Sequence, residues 1–204
     1  MPNNLSASLR QYAAAVRVLL VLTVLLGIVY PLAVTGVGQL LFRAQANGSL
    51  VSSGGHVVGS GLIGQNFTDA KGNPLPQWFQ PRPSAAGASG YDPTSSSASN
   101  LGPSDPDLVK AIQGRRASAA ALDGVAPASV PPDALTASGS GLDPQISPAY
   151  AYEQVNRVAA ARSLDPAKVK ALVASMVQGR SLGFLGEPTV DVLQLNIALQ
   201  QLGG

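Results

Sequence analysis

The stretch VLLVLTVLLGIVYPLAVTGVGQLLF, from Val18 to Phe42, carries no charged side chain and is bounded by Arg17 and Arg43. Its length of about 25 residues exceeds the roughly 20 that a helix needs to cross the hydrocarbon core of a bilayer. A secretory signal would have a much shorter apolar region, of about 7–15 residues, although Ala44-Gln45-Ala46 has the small-x-small form of a cleavage site. The run is therefore expected to remain as a transmembrane anchor. Pro31 would break a helix in water, but a spanning helix tolerates it and is expected to kink there. Thr35, Gly36 and Gly38 are small side chains that would allow a partner helix to approach closely.

The charge pattern sets an expected orientation. Arg10 and Arg17 precede the span, Arg43 follows it, and the next basic residue is Lys71. Basic side chains favour the cytoplasmic side. Residues 1–17 are thus expected to be a cytoplasmic segment, 18–42 the span, 43–56 a linker, and 57–204 an extracytoplasmic soluble domain. Charged residues make up only 12% of the chain against 46% hydrophobic, and there is no cysteine. Disulfides and cysteine-based metal sites are excluded. From Ala44 onward ten basic side chains meet eleven acidic ones, a net of −1. The excess basicity lies beside the apolar run, so a nucleic-acid partner is not expected and membrane lipid is.

The expected fold is α+β: one transmembrane helix, then a mixed α/β domain with a helical C-terminal third. Val57-Val58 and Leu62-Ile63 read as a hairpin around Gly59-Ser60-Gly61. Prolines at 74, 76, 81 and 83 make the stretch around Trp78 and Phe79 extended. A helix is expected over Leu108 to Leu122. Ser147-Pro148 starts another, with Ala151, Val155, Val158, Ala159 and Arg162 on one face. Asp165-Pro166 starts a third, with Gly179 as its stop, and Asp191 caps a last one carrying Val192, Leu195, Leu199 and Leu202.

DALTASGSGLDPQISP, Asp133 to Pro148, has the look of a phosphate cradle. A P-loop requires a lysine after its glycines, and none is present. The G-x-G-x-x-G and G-x-S-x-G patterns also fail. Ser138, Gly139, Ser140, Gly141, Asp143 and Gln145 are expected to form a structural or partner-facing turn with no nucleotide. His56, the sole histidine, is expected to be an exposed linker residue. Glu153 is expected in the first turn of its helix, where a carboxylate suits the dipole. No catalytic, cofactor or metal-binding residue is assigned.

Longer stretches carry a resemblance. YPLAVTGVGQLLF, GSGLIGQNF, WFQPRPSA, YDPTSSSASNLGPS, PPDALTASGSGLDPQISPAYAYEQVNRVAAARSLD and LGFLGEPTVDVLQLNIAL follow one another across nearly the whole chain. In this the chain resembles the C subunits of the Kdp-type potassium-transporting P-type ATPases of bacteria. Gln65, Arg82, Ser84, Asn100, Gly102 and Asn196 fall in these blocks without an assigned role. The resemblance implies a non-catalytic accessory subunit in the bacterial inner membrane. Its partners would be a channel-like potassium-binding subunit, a P-type ATPase catalytic subunit and a small single-span subunit. It implies a need for the chain in assembly or transport, and a proposed rise in the ATP affinity of the catalytic subunit. ATP and potassium would be handled by the complex, and an extracytoplasmic domain cannot touch cytoplasmic ATP. The phosphorylation sequence D-K-T-G-T is absent. The alternatives are a membrane-anchored extracytoplasmic enzyme and an anchored small-ligand binding module.

Overall fold

The computed structural model describes residues 4–203, with side chains described from 7. The ends of the expected segments 1–17 and 57–204 therefore lie outside the described residues. The chain divides into two compact units, residues 1–49 and 50–204.

The first unit is built on one long helix. Helix α1 (Asn4–Val24) passes through a wider π-turn (Leu25–Val29) into α2 (Tyr30–Leu41). The helical run starts well before Val18, because Asn4 to Arg17 is rich in the helix formers Ala and Leu. The helix over Ala7–Leu41 is long and apolar enough to cross a membrane, with a mean hydropathy of 2.5 over an 18-residue window. The expected irregularity falls just before Pro31. That residue has no N–H to donate to Gly27, and its ring would strike the Gly27 carbonyl in a regular helix. The Tyr30 N–H reaches back five residues to Leu25 O, which widens the turn where the ring must fit. At Phe42 the backbone leaves the helical region, and a single turn α3 (Arg43–Ala46) follows. Asn47 closes it by donating to Arg43 O at 2.6 Å and pairing with the Gln39 side chain.

The second unit begins inside the expected linker. Strand β1 (Leu50–Ser53) pairs antiparallel with β2 (His56–Ser60). The hairpin is thus earlier than expected. Gly54 and Gly55, with φ of 58° and 82°, supply two consecutive left-handed residues for a tight turn. Leu62-Ile63 does not form a strand; only an isolated bridge joins Ile63 to Ser60.

The irregular stretch from Gly61 to Asp105 leads to α4 (Pro106–Asp123). Asp105 caps this helix by accepting from Asp107 N, and Gly124 ends it at φ 68°. Two 3-10 turns, Pro127–Ser129 and Pro132–Ala134, precede β3 (Gln145–Ile146). The expected helix from Pro148 is divided into α5 (Pro148–Glu153) and α6 (Val155–Arg162), which meet at Gln154. Helix α7 (Pro166–Met176) starts on the Asp165 cap but does not run to Gly179. Val177 turns extended and Gln178 exchanges both backbone hydrogen bonds with Thr189, so the helical ladder cannot continue. Strand β4 (Val190–Asp191) pairs antiparallel with β3, and α8 (Val192–Leu202) follows, capped by Asp191.

One core joins these elements. Phe79, Ile146, Val158, Val169, Val173, Val190, Leu195 and Leu199 are its most buried apolar members. The architecture is the expected mixed α/β fold with one long apolar N-terminal helix and helices dominating the last third.

Candidate functional site

The segment PQWFQ, Pro76 to Gln80, is not extended throughout as expected: Pro76 and Gln77 lie in a turn closed by Trp78 N donating to Leu75 O, and the chain then buries Phe79 and Gln80 with no strand beside them. A buried backbone must still satisfy its polar groups. Here side chains from the C-terminal helices do so. Asn196 accepts from Phe79 N at 2.9 Å and donates to Phe79 O at 3.0 Å. Gln154 does the same for Gln80, at 2.6 and 3.1 Å. The two carboxamides thus reproduce what a neighbouring strand would offer. Arg157 donates to Pro76 O and Trp78 O, and Arg162 to Gln77 O. The Arg162 guanidinium also lies over the Trp78 ring, 4.4 Å from its centre.

Arg157 is the hub of this arrangement. Its Nε donates to Asp123 Oδ1 at 2.6 Å, and its Nη2 to Gln154 Oε1. Both side chains of the ion pair are almost fully buried. Burial raises the Asp123 carboxyl pKa, and the guanidinium offsets part of that rise.

The turn from Asp133 to Pro148 packs beside this segment and ties three parts of the chain together. Asp133 accepts from both Ser147 N and Ser147 Oγ. Ser147 in turn caps α5 by accepting from Tyr150 N. Two amides of that helix start, Tyr150 N and Ala151 N, are thus engaged by Ser147. Gly141 sits at φ 68°. A Cβ there would lie 2.6 Å from Ser97 O and 2.7 Å from Ala86 N. Gly139 has open space around it and an ordinary φ, so the steric demand rests on Gly141. The Ser84 hydroxyl donates to Gly141 O and accepts from Ala86 N and Tyr91 N. Ser140 O accepts from Ser97 N and Ser96 Oγ. Asp143 accepts from Arg82 at 2.9 Å and from Gln145 N at 3.0 Å, while Arg82 also reaches Thr136 O. Ser138 is buried with its hydroxyl unpartnered.

An open cleft of about 560 Å³ lies alongside, lined by Gln80, Arg82, Ser84, Arg115, Tyr150 and neighbouring small residues. Burial pushes the Tyr150 hydroxyl above its ordinary range. Glu153 is the last residue of α5, where the dipole does not favour a carboxylate, and not in its first turn. Burial, with Asp123 and Asp133 nearby, pushes its carboxyl up to about 7. Its Oε1 is sealed without a partner. A raised folded pKa means that the folded protein keeps a proton which the unfolded chain releases. Stability should therefore fall as pH rises from about 4.5 to 7 and level off above. The side chain is only partly buried and solvent screens its charge, so the loss should be at most about 1 kcal/mol. Glu153→Gln should flatten this dependence and melt higher than the parent at pH 8. Thermal melts across that range check it.

The remaining sequence-singled residues scatter. Thr35 and Gly36 stand exposed on α2, and a Cβ added at Gly38 would lie 3.8 Å from that of Ala46. Gln65 lines a separate pocket with His56, Trp78 and Asn196. His56 opens β2 and is exposed. Asn100 takes φ 52° in the surface coil, and Gly102 O accepts from Asp105 N just before α4. Among the described residues no group of three or more His, Cys, Asp or Glu side chains is placed to hold a metal ion. The roles of Gln154, Arg157 and Arg162 were missed from sequence. Polar residues on the buried face of an otherwise apolar helix were the available signal.

A family described as "KdpC: K+-transporting ATPase, c chain" matches residues 12–201. A protein of Kineococcus radiotolerans named "Potassium-transporting ATPase KdpC subunit" is 60% identical over 192 residues, 94% of each chain. Proteins of the same name from Gemmatimonas aurantiaca and Mycobacterium tuberculosis are 53% and 51% identical. The first alignment covers 89% of this chain and 87% of the relative, the second 95% and 99%.

Proposed function

Because the chain belongs to the KdpC family of K+-transporting ATPase c chains, we propose that it is a non-catalytic subunit needed for assembly of, or transport by, an ATP-driven potassium pump. The observation that carries this reading is near-full-length identity to proteins named as subunits of such an ATPase. The partners are a channel-like potassium-binding subunit, the P-type ATPase catalytic subunit and a small single-span subunit. These handle potassium and ATP.

In this reading the long apolar helix spans the inner membrane with its N-terminus in the cytoplasm. The unit from Leu50 onward lies outside. The Arg10 and Arg17 side chains ahead of the span support that orientation. An outer unit cannot contact cytoplasmic ATP, so any effect on ATP affinity passes through a partner. The Asp133–Pro148 turn is read as structural, since its capped helix start and its Ser and Asp side chains bond within the chain. Thr35 and Gly36 leave the α2 surface low enough for a partner helix.

One experiment tests the reading. An epitope tag after Gly204 is probed in sealed right-side-out vesicles, and the same membranes are then solubilised and purified on the tag. Antibody access from outside and recovery of the three partners are expected. Gly36→Leu should lower that recovery at least threefold. A tag reached only from inside overturns the orientation, and a chain recovered alone overturns the subunit reading.

A further inference from the structure

The loop from Arg180 to Glu187 presents the most exposed apolar group of the second unit. Leu182, Phe184 and Leu185 are 83%, 70% and 50% exposed within four positions. The loop is nonetheless well defined. Ser181 and Leu185 exchange backbone hydrogen bonds of 2.9 Å in both directions. The Gln178–Thr189 pair closes the base, and Arg180 meets Glu187 at 2.6 Å.

Leu182 carries a second cost. It takes φ 53°, beside Gly183 at 83°. A branched apolar side chain in the left-handed region is strained where glycine is not. An asparagine or glycine would remove both the strain and the exposed apolar surface. A residue that is disfavoured on both counts at a rigid tip has its use outside the isolated fold.

We propose that this loop is a docking knob that seats Leu182, Phe184 and Leu185 in an apolar socket on another subunit of the pump. The proposal rests on the subunit reading above. Three observations select a protein socket. The only charges on the loop, Arg180 and Glu187, neutralise each other, which leaves no cation for anionic lipid headgroups. The three side chains offer on the order of 400 Å², half of the roughly 800 Å² per partner that a self-standing interface buries. Such a knob is too small to hold two copies together, and suits one contact in an assembly already held by a membrane span. The double-bridged backbone fixes the spacing of the side chains, as insertion into a shaped pocket requires.

The test uses the whole pump, co-expressed and kept in its membrane. Phe184 is replaced by a photoreactive benzoylphenylalanine, and the illuminated products are identified by mass. A cross-link to another subunit of the pump is expected. Leu182→Asp with Phe184→Asp should lower co-recovery of this chain at least threefold. Leu182→Asn should lower recovery as well while melting no lower than the parent, which a merely structural residue would not do. If the parent copurifies but Phe184 labels lipid, a second copy, this chain itself or nothing, the docking proposal is overturned alone. If the parent does not copurify, the subunit reading fails first and takes the proposal with it.

Discussion

Arg157→Ala should destabilise the folded unit by about 3–5 kcal/mol, the usual cost of removing one partner from a buried ion pair. The loss has several parts. Asp123 would keep a buried charge without its counter-ion. Pro76 O and Trp78 O would each lose a donor, and Gln154 Oε1 would lose one of two. Lysine in the same place should recover only part of this, because one ammonium cannot replace a planar fork that reaches four acceptors. The chain supplies its own probe. Trp78 is the sole tryptophan and lies within the segment that Arg157 holds. Melting of the full chain in detergent, followed by its fluorescence, should show a transition lowered by roughly 6–20 °C. A shift of only a few degrees would mean that the helices hold the segment without this arginine.

Gly141→Ala should cost about 3 kcal/mol or more. The left-handed φ accounts for about 1 kcal/mol. The larger share comes from a methyl group placed 2.6 Å from Ser97 O and 2.7 Å from Ala86 N. Both are backbone atoms, so relief requires the surrounding loop to shift. That loop is itself fastened by Ser84 to Gly141 O and by Ser96 to Ser140 O. Gly139→Ala, two residues earlier, should stay within about 0.5 kcal/mol of the parent, as an exposed substitution with open space around it. Paired melts of the two variants decide where the turn depends on glycine. Equal losses would contradict the packing described for Gly141.

The two glycines also show where sequence reading stops. Both stand in the same serine-rich run, and nothing in their immediate neighbours distinguishes them. What separates them is the approach of Ala86 and Ser97, which lie far upstream in the chain. Local signals fared better. Ser147, Asp165 and Asp191 were legible as helix caps, because the residue that caps and the amide it serves are two or three positions apart. The long apolar run and the helical last third were legible for the same reason. The hairpin was misplaced: Gly59 reads as a turn residue, but it is a glycine because the Leu193 side chain passes 2.8 Å from where its Cβ would be. The end of α7 was set by a bridge to Thr189 and not by Gly179. Most of all, a backbone partner made of Asn196 and Gln154 side chains leaves no pattern at Phe79 and Gln80, the residues it serves.

That borrowed backbone partner has a consequence for the order in which the molecule is made. Phe79 and Asn196 are 117 residues apart, and Gln80 and Gln154 are 74 apart. On a growing chain, the middle of the protein waits with its amides bare until α6 and then α8 emerge. Contacts of such long range close late and slowly, since the intervening loop must be ordered first. Until then Trp78 and Phe79 remain an exposed apolar pair with unpaired backbone, the kind of surface that chaperones hold and proteases find. Maturation of the unit is therefore gated by synthesis of its C-terminal helix, so a ribosome that stalls before Asn196 releases a chain that cannot close.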